Sequence, residues 1–230
     1  MKHFSGIVLI IFGLLAGIFL NASAQSTSNK GTDFFFFFSG HIDAKLSRMT
    51  LFLSSDINTT YRVEVNGQTI SSGNISANVI TPVFVDPNVF DVHIASFDVV
   101  ESSKGIHITS GSPISVYSII SNSARTGGSL ILPTKSLGRE YYAFSYQNAG
   151  GAQGGNAKSE FTILAVEDDT EIEITPSTDS FNGARKANTT FKITQKLNKG
   201  DIYQYQSAND VSGSLIRTLG SCKPIAVFSG

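Results

Sequence analysis

Five consecutive phenylalanines, Phe34–Phe38, follow Asp33 near the start of the chain. An extended backbone sends successive side chains to opposite faces. A strand through this run therefore presents aromatic rings on both sides, and five rings cannot all face water. One reading is a buried strand, covered on both faces, that opens a β unit. The other is a partly exposed aromatic patch that binds something.

A second constraint is repetition, which decides architecture before any single motif does. Pro113-Ile114-Ser115-Val116-Tyr117-Ser118 and Pro224-Ile225-Ala226-Val227-Phe228-Ser229 share one pattern 111 residues apart. Arg139-Glu140-Tyr141-Tyr142-Ala143-Phe144 matches Thr32-Asp33-Phe34-Phe35-Phe36-Phe37 in character: a polar residue, an acid, then aromatics. Leu51–Val65 and Phe161–Thr175 form a third match, 110 residues apart. The three stand in the same order. They predict two diverged copies, residues 31–120 and 138–230, joined by a linker over 121–137. Each copy holds about seven short strands, which suits an all-β, β-sandwich-like module. Propeller-like blades are the alternative. Val116 and Val227 are expected in equivalent core positions. The first closing strand runs into a linker whereas the second stops at Gly230, which predicts a longer natural protein.

The strand-length pieces support this reading. Tyr61–Val65 alternates, with Val63 and Val65 on one face and Arg62 and Glu64 on the other, before an Asn66-Gly67 turn. Met49–Leu53, Ile80–Val85, Phe90–Ile94, Gly105–Ile108 and Ile114–Ile120 are further strands of the first copy. Pro82, Pro87 and Pro113 belong at strand starts, edges or turns. In the second copy Phe161–Val166 and Glu171–Thr175 form a hairpin, with Ile172 and Ile174 facing one way. Phe191–Thr194, Asp201–Gln206, Ser214–Arg217 and Ile225–Phe228 follow, and Tyr203 and Tyr205 alternate with Gln204 and Gln206. Leu130-Ile131-Leu132 in the linker could pack on either neighbour. No window sustains a 3.6-residue apolar stripe.

Composition bounds the function. The chain is 41% hydrophobic and 15% charged, so it can bury a core and is not a disordered chain. Its formal net charge of -1 argues against a nucleic-acid footprint or a polybasic membrane patch. Met1–Ala24 reads as a signal peptide: Lys2 and His3, the apolar run Ile7–Leu20, then Ala22-Ser23-Ala24 at a small-residue cleavage site. The apolar run is shorter than the roughly 20 residues a spanning helix needs. Export is expected, with no stable membrane span after cleavage. No cysteine follows the cleavage site to carry a lipid, and residues 25–32 form a polar, flexible leader.

Chemistry-bearing residues are few. Cys222 is the single cysteine. It reads as a small buried hydrophobe, a thiol pairing outside the chain, or a catalytic thiol with no histidine near it in sequence. Glu167, Asp168, Asp169, Glu171 and Glu173 form the densest acidic cluster. The first three lie on a turn and the last two on a strand face, which fits a solvated hairpin better than a calcium site. His41, His93 and His107 lack metal-ligand spacing, and His107, between Ile106 and Ile108, is expected to face outward. The glycine-rich loop Gln147–Lys158 lacks a Gly-Lys-Ser/Thr ending, so it is not a phosphate cradle. Asn58, Asn74 and Asn188 open N-glycosylation sequons. No residue is assigned to catalysis, to a cofactor or to a metal, and no ligand contact is assigned.

Three motifs resemble a known family when taken together. They are Leu132–Tyr142 (Leu-Pro-Thr-Lys-Ser-Leu-Gly-Arg-Glu-Tyr-Tyr), Phe161–Thr170 (Phe-Thr-Ile-Leu-Ala-Val-Glu-Asp-Asp-Thr) and Lys223–Gly230 (Lys-Pro-Ile-Ala-Val-Phe-Ser-Gly). In this order they resemble the N-terminal domain of the IgG Fc-binding protein family. The resemblance is firm over residues 105–230 and weaker from Gly31 onward. It implies an extracellular, non-catalytic binding module of the family's bacterial branch, found in secreted or surface proteins of Bacteroidetes-type bacteria. Its partner would be an extracellular protein or glycan, with IgG Fc and mucin among the candidates. Two other classes stay open: a structural stalk module, and a fragment of a surface carbohydrate-active enzyme.

Overall fold

The computed structural model describes residues 28–40, 46–90, 92, 96–123, 125–147, 158–220 and 222–230. The signal-peptide reading, His41, His93 and Gly150–Gly155 fall outside these residues. Fifteen strands follow in order: β1 (Gly31–Phe36), β2 (Arg48–Ser54), β3 (Thr59–Val65), β4 (Gln68–Ile75), β5 (Thr81–Val85), β6 (Val100–Glu101), β7 (Ile106–Ser121) and β8 (Thr126–Ile131), then β9 (Glu140–Tyr142), β10 (Ser159–Ala165), β11 (Ile172–Thr175), β12 (Phe191–Lys192), β13 (Ile202–Ser207), β14 (Leu215–Thr218) and β15 (Ile225–Ser229). A 3-10 turn at Thr134–Ser136 separates β8 from β9. The fold is all-β, as the alternating patterns require.

The strands form two sandwiches. In the first, the sheet β4-β3-β7-β1 faces the sheet β5-β2-β7-β8, and β7 belongs to both. In the second, the sheet β12-β11-β14-β9 faces the sheet β6-β13-β10-β15. The registers correspond. Leu53 lies opposite Val116, and Ile163 lies opposite Val227. Val63 and Val65 pair with Ile108 and Ile106, while Ile172 and Ile174 pair with Thr218 and Ile216. Val116 is fully buried, and Val227 is half-buried against the second core.

Each sandwich has its own core. Met49, Leu51, Leu53, Val63, Ile108 and Val116 are among the side chains that fill the first. Phe161, Ile163, Ile174, Tyr203, Tyr205 and Ile216 are among those that fill the second. Each such side chain removes apolar surface worth about 1.5–3 kcal/mol. The Asn66-Gly67 turn between β3 and β4 has both residues at positive φ, 49° and 72°, the geometry a two-residue hairpin demands.

The phenylalanine run explains how the sandwiches meet. Phe34, Phe36 and Phe38 point into the first core. Phe35 and Phe37 point the other way, onto Leu164, Val166, Ile202 and Ala226 of the second sandwich. Both faces of β1 are thus covered, and the run is a buried strand rather than an exposed patch. Phe228 of β15 joins the seam edge-on, its ring centroid 5.6 Å from Phe36 and 5.0 Å from Phe37.

The structure departs from sequence expectation in several places. Phe161–Val166 and Glu171–Thr175 do not pair as a hairpin: the turn at Glu167–Thr170 carries the chain from one sheet to the other, so β10 pairs with β13 and β15 while β11 pairs with β12 and β14. Phe90 and Val92 lie outside any strand. The pieces Gly105–Ile108 and Ile114–Ile120 are one 16-residue strand, β7. Pro113 lies inside it, at the step where β7 leaves β1 and β3 and takes up β2 and β8. A missing N–H is tolerated there because the ladder changes partners. The 121–137 stretch carries β8, which pairs with β7 and places Ile131 in the first core. Finally, β6 pairs with β13, so residues 100–101 extend a sheet of the second sandwich.

Candidate binding surfaces

The seam between the sandwiches opens into a cleft of about 370 Å³, with Phe35, Glu64, His107, Lys199 and the backbone of Gly105 and Gly200 on its walls. His107 alternates out of the first core, as its neighbours Ile106 and Ile108 require. It is not free in solvent, however, because the second sandwich closes over β1. Its ring stacks on Phe35 at 4.3 Å and 12°, and Nε2 lies 2.6 Å from Asp33 Oδ1. Its Nδ1 is 3.7 Å from Glu64 Oε2. The Thr134 hydroxyl donates to the Asp33 carboxylate. Burial pushes the Asp33 carboxyl up, but the bonds from His107 and Thr134 outweigh it and hold the group below its ordinary range. Lys199 Nζ sits 5.1 Å from the Phe35 ring centre.

The cleft floor is a backbone contact. Gly105 N–H donates to Gly200 C=O at 2.8 Å, and a Cβ on Gly105 would come within 2.8 Å of Gly200 Cα. Only glycine permits that approach. Asp201 Oδ1 accepts the Ser103 N–H at 3.0 Å. Nearby, Asp98 accepts bonds from Tyr203 Oη at 2.6 Å and Arg185 Nε at 3.0 Å. These groups hold the two sandwiches in one arrangement. Both ring nitrogens of His107 face carboxylates.

Two solvent-facing apolar surfaces among the described residues bear on binding. One is the outer face of the sheet β5-β2-β7-β8, where Phe52, Ile80, Tyr117, Ile119 and Leu130 line a depression of about 520 Å³. The other is a ridge of Tyr142, Phe144 and Tyr146 running from β9. Sequence reasoning named Tyr141-Tyr142-Ala143-Phe144 as a counterpart of the phenylalanine run but found no reason for one to be covered and the other bare.

The acidic cluster splits into separate ion pairs and bonds. Glu171 pairs with Lys196 at 2.8 Å and Glu173 with Arg217 at 2.5 Å. Asp168 Oδ1 accepts the Lys199 N–H, and Lys223 Nζ donates to the Asp168 carbonyl. The carboxylates diverge along a turn and a strand face instead of converging on one point. Cys222 is exposed, with Arg139 Nη1 3.1 Å from its sulfur. The buried-hydrophobe reading is therefore corrected: the chain leaves β14 at Leu219-Gly220 and crosses the surface before β15. Asn58, Asn74 and Asn188 are all exposed.

Such a build defines an all-β protein of two packed sandwiches with accessible sheet faces and a narrow seam. Residues 127–230 match the family model described as IgGFc binding protein. The match runs from β8 through β15, a narrower span than the motifs suggested. The family is one of non-enzymatic binding domains, typically extracellular. Among the described residues no helix is long and apolar enough to cross a membrane. No curated protein sequence matches. A solved structure from Parabacteroides distasonis, of a protein described as a candidate for secretion, aligns over 91% of this chain and 86% of its own. The identity is 11% and the TM-score 0.15, too low to support any argument from it.

Proposed function

We propose that the protein is a secreted or cell-surface binding module that recognises an extracellular protein or glycan without chemical turnover. The observation that carries this reading is the family match over residues 127–230. The signal-peptide pattern at Met1–Ala24 supports export. The sandwich architecture supports presentation, because rigid sheets hold surface loops and faces in place for a partner. IgG Fc and mucin are the first ligands to test. Residues 31–120 and 138–230 act in this reading as two copies of one module, consistent with their matching strand orders and registers.

The test is surface plasmon resonance of the purified protein over immobilised IgG Fc, mucin and enzymatically deglycosylated mucin. Saturable binding to Fc or to either mucin is expected. Loss of signal on deglycosylation would mark a glycan ligand. Absence of saturable binding to all three surfaces would count against the reading.

A further inference from the structure

The join between the two sandwiches uses a pair of surfaces, and the molecule exposes a partial counterpart of each. The donor surface of the join is the outward face of β1, Phe35 and Phe37. The acceptor is the outer face of the sheet β6-β13-β10-β15, through Leu164, Ile202, Ala226 and Phe228. In the second sandwich, β9 occupies the place of β1 at the edge of the corresponding sheet. It keeps the same alternation. Tyr141 and Ala143 turn into the second core, and Tyr142, Phe144 and Tyr146 turn outward.

The difference is cover. Phe35 and Phe37 are 3% and 1% exposed, whereas Tyr142, Phe144 and Tyr146 are 69%, 87% and 61% exposed. Three outward aromatics in a row cost solubility unless they meet a partner. Two hydrogen bonds from its backbone also anchor the ridge. Ala143 N–H donates to the Ser214 carbonyl at 2.9 Å, and Ser145 N–H donates to Ser212 Oγ at 2.9 Å. A preformed ridge loses little conformational freedom on docking.

The acceptor has a partial counterpart too. The registers Ile163↔Val227 and Leu53↔Val116 superpose the strands β13-β10-β15 on β5-β2-β7, leaving β6 and β8 without counterparts. By that correspondence Leu164 and Ala226 map to the polar Ser54 and Ser115, while Tyr117 and Ile80 stand for Phe228 and Ile202. Tyr117 and Ile80 are exposed, at 45% and 63%, and they border the same open depression.

We propose that the protein associates head to tail with a second copy of itself, the Tyr142-Phe144-Tyr146 ridge of one molecule docking on the Ile80-Tyr117-Ile119 face of the next. The contact sets the second aromatic ridge against Tyr117 and Ile80, the counterparts of Phe228 and Ile202 in the join. Because donor and acceptor are different surfaces, the interface is heterologous and leaves one of each free at the ends of every dimer.

The asymmetry supplies the test. A ridge variant (Tyr142→Ser with Phe144→Ser) and a face variant (Tyr117→Ser with Ile119→Ser) change only solvent-exposed side chains. Sedimentation velocity of the purified wild type is expected to show mass growing beyond two copies as concentration rises. Each variant can still supply one surface but not both, so each alone should sediment as a monomer. An equal mixture of the two should form a complex of twice the monomer mass that grows no further. A wild type that stays monomeric at every concentration would overturn the proposal. So would variants that fail to pair in the mixture while the wild type associates, an outcome that places association on another surface, such as that of a further partner or an isologous dimer.

Discussion

Glu160 lies on the outward side of β10, where Gln206 Nε2 donates to its Oε2 at 2.8 Å. Burial pushes the Glu160 carboxyl up, and the bond from Gln206 offsets only part of that. A carboxyl whose folded pKa is raised favours the fold below its unfolded value and loses that contribution as pH rises through the folded one. At neutral pH the charge is therefore a burden. Glu160→Gln keeps an acceptor for Gln206 and removes the charge, so it should raise Tm at pH 7 and change it little near pH 3. The expected rise is roughly 2–4 °C for each kcal/mol relieved. An unchanged Tm at pH 7 would show that water reaches the carboxylate. Asp33 has the opposite sign. Its lowered carboxyl stabilises the seam above the ordinary carboxylate range, and that contribution disappears as pH falls through the folded value. His107→Ala should therefore flatten the acid side of the Tm–pH profile, measured by thermal melts between pH 2 and 6. A profile unaffected by the change would separate Asp33 from the acid response.

Among the elements, β1 has most to do, because each of its faces serves a different core. Phe34 is fully buried in the first core, so Phe34→Ala should cost about 3–5 kcal/mol in urea unfolding. A loss below about 1 kcal/mol would mean the site collapses around the smaller side chain. This two-faced role was legible in the sequence, since five successive rings admit no other arrangement in a buried strand. The β3–β4 hairpin was legible for a related reason: Val63 and Val65 against Arg62 and Glu64 encode one buried face before the turn. Ile172 and Ile174 against Glu171 and Glu173 likewise encode the buried face of β11, but not that its partners are β12 and β14 rather than β10. Where two sheets share a strand, the local pattern is silent. Pro113 looks like a strand boundary and is instead the step at which β7 changes sheets. The pairing of β6 with β13 joins segments about a hundred residues apart, and two residues carry no periodicity. The ridge and the phenylalanine run share an alternation. Only the packing of the second sandwich on β1 shows which is covered, and no window of sequence reports it. For the same reason the outward placement of His107 was legible and its burial under Phe35 was not.

At the scale of the whole molecule, two sandwiches of matching strand order are held together by Phe35 and Phe37, the Gly105–Gly200 contact and the β6–β13 pairing. The contacts on both sides of β1 are shared, so loosening one sandwich removes cover from the other, and such coupled contacts unfold together. The same alternation of aromatic ridge and apolar face that joins the halves reappears at the free surfaces, which links architecture to the proposed self-association. Differential scanning calorimetry of the wild type and of a Phe35→Ala, Phe37→Ala double variant tests the coupling most directly. One transition is expected for the wild type, with calorimetric and van't Hoff enthalpies equal, and two separate transitions for the variant. Two independent transitions in the wild type, or a single unshifted transition in the variant, would contradict this coupling.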